Sequence, residues 1–167
     1  MLKILKPDTM VKSIYSISPE DFIRKKIFGL ILDIDNTLVA THIKKPDANL
    51  ISYIKALKES GIKVIIVSNA KKERVEEFCK PLDIEYVYKA LKPLSRGFIL
   101  ALKKMDLPRE NVAIVGDQLF TDVLGGNLSK IHTILIKPID LNEPFLIRLK
   151  RILEKPFLYN KQYEDKL

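Results

Sequence analysis

Hydrophobic positions in this chain fall into short unbroken runs separated by longer stretches in which they recur at helical spacing. Residues 1 to 18 carry neither pattern and read as an extended arm, with Val11, Ile14, Tyr15 and Ile17 available to dock on a core. Ser18-Pro19-Glu20-Asp21 is a helix start: Ser at the N-cap, Pro at the first helical position and acids in the first turn. That helix is expected to end near Lys26, and a first strand runs from about Ile27 to Asp33. Asp47 to Ser60 places Leu50, Ile51, Ile54 and Leu57 on one helical face, and Gly61 ends it. Ile62 to Val67 is a second strand, closing on Ser68-Asn69. Lys71 to Lys80 is a helix whose apolar side holds Val75, Phe78 and Cys79. Ile84 to Tyr88 is a third strand. Lys92-Pro93 then opens a helix bearing Phe98, Ile99, Leu102 and Met105. Val112 to Val115 is a fourth strand that runs into Gly116-Asp117, and a helix from about Leu119 precedes Gly125-Gly126-Asn127. His132 to Ile136 is a fifth strand, and Asn142 caps a last helix over 143–155.

Five short apolar strands alternating with amphipathic helices predict an α/β chain whose parallel sheet is covered on both faces, a three-layer α/β/α arrangement. With the predicted strands numbered in sequence, the expected order is 5-4-1-2-3. No repeat, low-complexity segment or linker interrupts the pattern. One domain over 1–158 is expected, with 1–26 as its arm and short helix and 159–167 as a frayed polar tail.

The 167 residues suit one sizeable core, and 47% hydrophobic with 30% charged residues are ordinary for a globular protein. One cysteine excludes an internal disulfide framework and is compatible with a reducing compartment. Cys79 is expected to be a packed core thiol. The start lacks an apolar signal-like region and no run is long enough to span a bilayer, so a cytoplasmic location is expected. The net charge of +8 inclines the surface toward anionic partners.

Chemistry gathers after the strands. The first ends in Asp33 and Asp35, whose carboxylates share a side if the strand period continues. Such a pair repels itself, so it calls for a bound cation or a shared proton. The second strand ends in Ser68, the fourth in Gly116-Asp117 with Asp122 following, and Lys92 precedes a helix. Ligands bind outside the carboxyl ends of parallel strands where strand order reverses, which brings Asp33, Asp35 and Asp117 across one crevice. Taken alone, an Asp-x-Asp is more often a turn or helix cap, Ser68 an N-cap, Gly116-Asp117 a turn and Lys92 a solvated side chain. Their joint placement reverses that reading. His42 and His132 fit no such geometry.

These residues resemble the four signature motifs of the haloacid dehalogenase (HAD) superfamily of phosphotransferases. Asp33-Ile34-Asp35-Asn36-Thr37-Leu38-Val39 is similar to motif one, Ser68 to motif two, Lys92 to motif three, and Gly116-Asp117 through Asp122 to motif four. The resemblance runs from about Ile27 to Ile136 and implies a Rossmann-like, HAD-like fold. Within the superfamily, Asp-Asn-Thr-Leu-Val, Lys92-Pro93, the run from Gly116 to Val123 and the early Val11-Lys12-Ser13-Ile14-Tyr15 resemble the cap-less IIIA-type bacterial YqeG family and the mitochondrial phosphatidylglycerophosphate phosphatases.

The resemblance implies a Mg²⁺-dependent phosphomonoester hydrolase. Asp33 would be the nucleophile and form an aspartyl-phosphate, and Asp35 the general acid/base. Asp33, the backbone carbonyl of Asp35 and Asp117 would hold Mg²⁺. Ser68, Asn69 and Lys92 would bind the phosphoryl oxygens, and Asp122 would orient Lys92 or a metal-bound water. Backbone N–H groups of the Ile34–Thr37 turn are expected to add an anion nest. An acid at position 35 resembles the phosphatases, whereas ion-pumping relatives carry Thr there and keep a long-lived phosphoenzyme.

Cap domains of the superfamily sit in two intervals that are too short or already filled here, so an uncapped crevice is expected. It suits a substrate that itself excludes water, such as a lipid head group. In the last helix, Phe145, Leu146, Leu149, Ile152 and Leu153 form an apolar stripe flanked by Arg148, Lys150, Arg151 and Lys155. The stripe is expected to pack on the sheet; the alternative is contact with the inner face of an anionic membrane. The expected substrate resembles phosphatidylglycerophosphate, with a soluble small-molecule or nucleotide phosphatase as the alternative. A non-enzymatic RNA- or protein-binding module has no use for Asp35, and the chain lacks the aromatic platforms of nucleic-acid recognition.

Overall fold

The computed structural model of the protein describes residues 3–143, 145–158 and 162–164. Six parallel strands form one sheet: β1 (Thr9–Val11), β2 (Gly29–Leu32), β3 (Lys63–Val67), β4 (Glu85–Val87), β5 (Val112–Gly116) and β6 (His132–Ile136). Their order is β1-β6-β5-β2-β3-β4. The five expected strands therefore lie in the expected order, and the arm supplies a sixth at one edge. Thr9 to Val11 pair with Ile134 to Ile136, an alignment that only tertiary contact can create.

Helices α1 (Pro19–Arg24), α2 (Ala48–Glu59), α3 (Lys72–Cys79), α4 (Ser95–Met105), α5 (Leu124–Leu128) and α6 (Phe145–Leu158) complete the fold. Helix α1 starts with a full capping box in which Ser18 and Asp21 satisfy each other's backbone N–H. Asp47 caps α2, and Gly61, at a φ of +81°, turns the chain into β3. Strand residues divide between the two faces with period two. Leu30, Leu32, Val64, Ile66, Ala113 and Val115 join one core; Ile31, Ile65, Val67, Val112 and Ile114 join the other. Helices α2 and α3 cover the first face, α4 and α5 the second. Cys79 is buried, and desolvation pushes its thiol up to about 12.

One expectation fails at the carboxyl end. The apolar stripe of α6 does not pack on the sheet: Phe145, Leu146, Leu149, Ile152 and Leu153 are between 44% and 74% exposed. The helix turns its other side inward, because Arg151 and Glu154 make buried ion pairs there. Of the tail expected to fray, 159–161 and 165–167 lie outside the described residues, but Glu164 exchanges backbone hydrogen bonds with Met10 and Lys12 beside β1. Of the apolar residues named on α4, Phe98 and Met105 are buried and Ile99 is exposed.

Candidate active site

The registers bring the three chemically marked strand ends level. Leu32 pairs with Ile66 on one side and with Val115 on the other, so Asp33, Ser68 and Gly116-Asp117 emerge together. The alternation of β2 persists past its end: Ile34 is in the core, while Asp33 and Asp35 both line one crevice of about 220 Å³. Ser68, Asn69, Lys92, Gln118, Thr121, and from α6 Ile147 and Lys150 complete its wall.

Lys92 is the electrostatic centre. Its buried ammonium donates to Asp33 Oδ1 at 2.6 Å and to Asp122 Oδ1 at 2.6 Å. Burial alone would lower this ammonium, but Asp122 and Asp33 together hold it above its ordinary range. Asn69 fixes the Lys92 backbone from both sides: its side chain accepts from the Lys92 N–H at 2.7 Å and donates to the Lys92 carbonyl at 3.2 Å. Ser68 Oγ accepts from the Ala70 N–H at 3.1 Å.

Asp33, Asp117 and Asp122 each offer a carboxylate oxygen within 4.8 Å of the others, and all three are buried. Burial pushes Asp33 upward, Asp122 and Asp117 add to the rise, and Lys92 opposes it. Burial likewise raises Asp117 to about 6 although Arg151 pulls it down. Such crowding of desolvated acids fits a hard divalent cation, and an all-oxygen donor set favours Mg²⁺ or Mn²⁺ over thiolate-seeking metals. Asp122, expected only to orient its neighbours, belongs to this cluster. It gets there because a turn of π-helix, Leu119–Val123, folds it back over the end of β5. Gly116 makes the room: a Cβ there would lie 2.2 Å from Asp122 Cγ.

For four residues that the fold brings to these acids, the sequence offered no site contact. Arg74 of α3 donates to Asp35 Oδ1 at 3.1 Å and to the Ile43 and Lys44 carbonyls, fixing the acid at the lip. Thr37 Oγ1 donates to Asp117 Oδ1 at 3.2 Å. Arg151 donates to Asp117 Oδ2, and to Glu143 at 2.7 Å and 3.0 Å. Glu143 in turn accepts from the Asn36 amide. A lone acid, Glu154, three positions after Arg151 in an otherwise apolar and basic helix was the available signal for this network. The anion nest expected at Ile34–Thr37 is not offered by Asn36 or Thr37, whose N–H groups donate to Val39 and Ile34 within the turn. His42 and His132 stand outside the crevice lining, near Asp140 and Asp8.

Residues 28–129 match the family model described as haloacid dehalogenase-like hydrolase. The chain is 42% identical over 156 residues to "Probable phosphatase YqeG" of Bacillus subtilis, covering 93% of this chain and 91% of that protein. It is 29% identical over 165 residues to phosphatidylglycerophosphate phosphatase 1, chloroplastic/mitochondrial, of Arabidopsis thaliana, of which it spans 47%. Among solved structures, 3-deoxy-D-manno-octulosonate 8-phosphate phosphatase from Yersinia pestis superposes with a TM-score of 0.55 at 19% identity, over 71% of this chain and 77% of that one. The cobalt-bound deoxy-D-mannose-octulosonate 8-phosphate phosphatase from Haemophilus influenzae gives 0.54 at 14% identity, over 82% and 95%. Those two likenesses carry the fold. With the family model spanning most of the sheet and a relative matched over nearly its whole length, the chain belongs to the haloacid dehalogenase-like hydrolases.

Proposed function

We propose that this protein is a phosphomonoester hydrolase that works through an aspartyl-phosphate on Asp33. Its substrate is phosphatidylglycerophosphate or a similar large or lipid phosphate, met at the cytoplasmic face of a membrane. The observation that carries the reading is the bond of Lys92 to Asp33 beside Asp117 and Asp122, at the mouth shared with Asp35. The activities named for the Bacillus and Arabidopsis relatives support it.

Phosphate esters are shielded by their own charge, so a carboxylate nucleophile needs that charge neutralised and the line of attack fixed. Asp33 attacks phosphorus as the bond to the leaving oxygen breaks, and Asp35 gives that oxygen its proton. Asp35 then takes a proton from the water that attacks the aspartyl-phosphate, releasing inorganic phosphate and restoring Asp33. Lys92 and the Ser68 hydroxyl hold the equatorial oxygens, and Arg74 aims Asp35. Asp33, Asp117 and the Asp35 carbonyl, with Asp122 beside them, are the groups that would hold Mg²⁺, which would supply charge neutralisation.

The test is phosphate release from phosphatidylglycerophosphate in mixed micelles with Mg²⁺, set beside release from a water-soluble phosphomonoester. Turnover of the lipid well above the soluble ester supports the reading. Efficient turnover of the soluble ester alone removes the lipid substrate, and release from neither removes the activity.

A further inference from the structure

The side of α6 that faces solvent is built like a surface-seeking helix. Its inward line is Ile147, Arg151, Glu154 and Leu158, spaced at helical repeats. The exposed stripe of Phe145, Leu146, Leu149, Ile152 and Leu153 lies roughly opposite, about half a turn round the axis. Arg148 and Lys155 stand on one flank between the two, and Lys150 on the other; all three are exposed. The one acid of the helix, Glu154, is buried against Arg151 and the Phe120 N–H, so no negative charge of α6 faces outward. Leu141, 71% exposed just before the helix, extends the apolar area.

We propose that this face of α6 seats on an anionic lipid bilayer, with the apolar stripe at the head-group boundary and the basic flanks on the lipid phosphates. The proposal rests on the phosphatase reading above and names the partner of that same site. An apolar strip flanked by Arg148 and Lys155 on one side and by Lys150 on the other is complementary to a surface that is apolar below and anionic above. A second copy of the helix would instead oppose cation to cation. The helix also forms one wall of the crevice through Ile147 and Lys150, so a surface held by its opposite side is one helix diameter, roughly 10 Å, from that wall. The ion pairs of Arg151 keep the helix with its apolar side outward before any membrane is met.

Full-length protein is sedimented with vesicles of phosphatidylglycerol and phosphatidylcholine mixed, and with phosphatidylcholine alone. Binding to the anionic vesicles, weakened by salt and absent from the neutral ones, is expected. The variants L146E/L153E and R148E/K155E should each lower that binding by about tenfold or more. Hydrolysis of a soluble phosphomonoester should not change in either, and circular dichroism should show the fold retained. No sedimentation of wild type with anionic vesicles overturns the proposal. So does a wild-type dimer in analytical ultracentrifugation that L146E/L153E dissociates, since a second copy then covers the face. Vesicle binding without hydrolysis of any phosphomonoester leaves the docking surface standing and removes the phosphatase reading instead.

Discussion

Arg151 of α6 and Asp117 at the end of β5 are joined twice: the guanidinium donates to the Asp117 carboxylate and, at 2.6 Å, to its backbone carbonyl. The same side chain reaches Glu143 and Glu154, both buried. The helix is thereby anchored through charge, and its anchor ends on one of the three clustered carboxylates.

Arg151→Ala leaves three buried carboxylates without their cation. Removing one partner of a buried pair costs about 3–5 kcal/mol, so a loss of that order is expected in urea unfolding. Arg151→Lys, which keeps the charge but not the forked geometry, should recover part of it.

Lys92→Ala brings Asp33 and Asp122 face to face without the ammonium between them. On the proposed mechanism the donor to the transferring phosphoryl group is lost as well, which predicts a fall in kcat of about a hundred- to a thousandfold. Steady-state kinetics on whichever phosphomonoester the wild type accepts would check it.

Gly116→Ala forces the Asp122 carboxylate or the end of β5 to move. Overpacking of this kind costs about 1–3 kcal/mol. Because the displaced group is Asp122, activity should fall further than stability does. Thermal unfolding and kinetics on the same preparation would separate the two.

The pH dependence follows from Asp117, which burial raises to about 6. An unfolded carboxylate titrates near 3.9, so between about pH 4 and pH 6 the native state holds a proton that the unfolded chain has released. Metal-free protein should lose stability as pH rises across that window, and Asp33, which burial also raises, carries the loss on above it. A divalent cation needs the deprotonated groups, so stabilisation by Mg²⁺ should grow with pH over the same interval. Melting curves with Mg²⁺ or with EDTA, at about pH 5 and about pH 8, would show the larger increment at the higher pH.

Local patterns made the middle of the chain readable. Apolar runs bounded by turn residues located β2 to β6, and period two carried past the end of β2 placed Asp33 and Asp35 on one crevice. What could not be read was set by distant partners. Thr9 to Val11 is too short to announce a strand, and it becomes one only against β6. The hydrophobic stripe of α6 pointed to a packed face. The ion pairs of Arg151 and Glu154 reverse it, and their partners come from other parts of the chain. Arg74 carries no mark in its own surroundings, because its target is a loop brought to it by the fold.

On the proposed mechanism Asp33 carries the phosphoryl group. With an aryl phosphate, whose leaving oxygen needs no proton, Asp35→Asn should slow breakdown of the intermediate enough to trap it, and mass spectrometry of the acid-quenched protein should find one phosphoryl group on the peptide containing Asp33. A phosphoryl group on another residue, or steady turnover by an Asp33→Asn variant, would rule out Asp33 as the nucleophile.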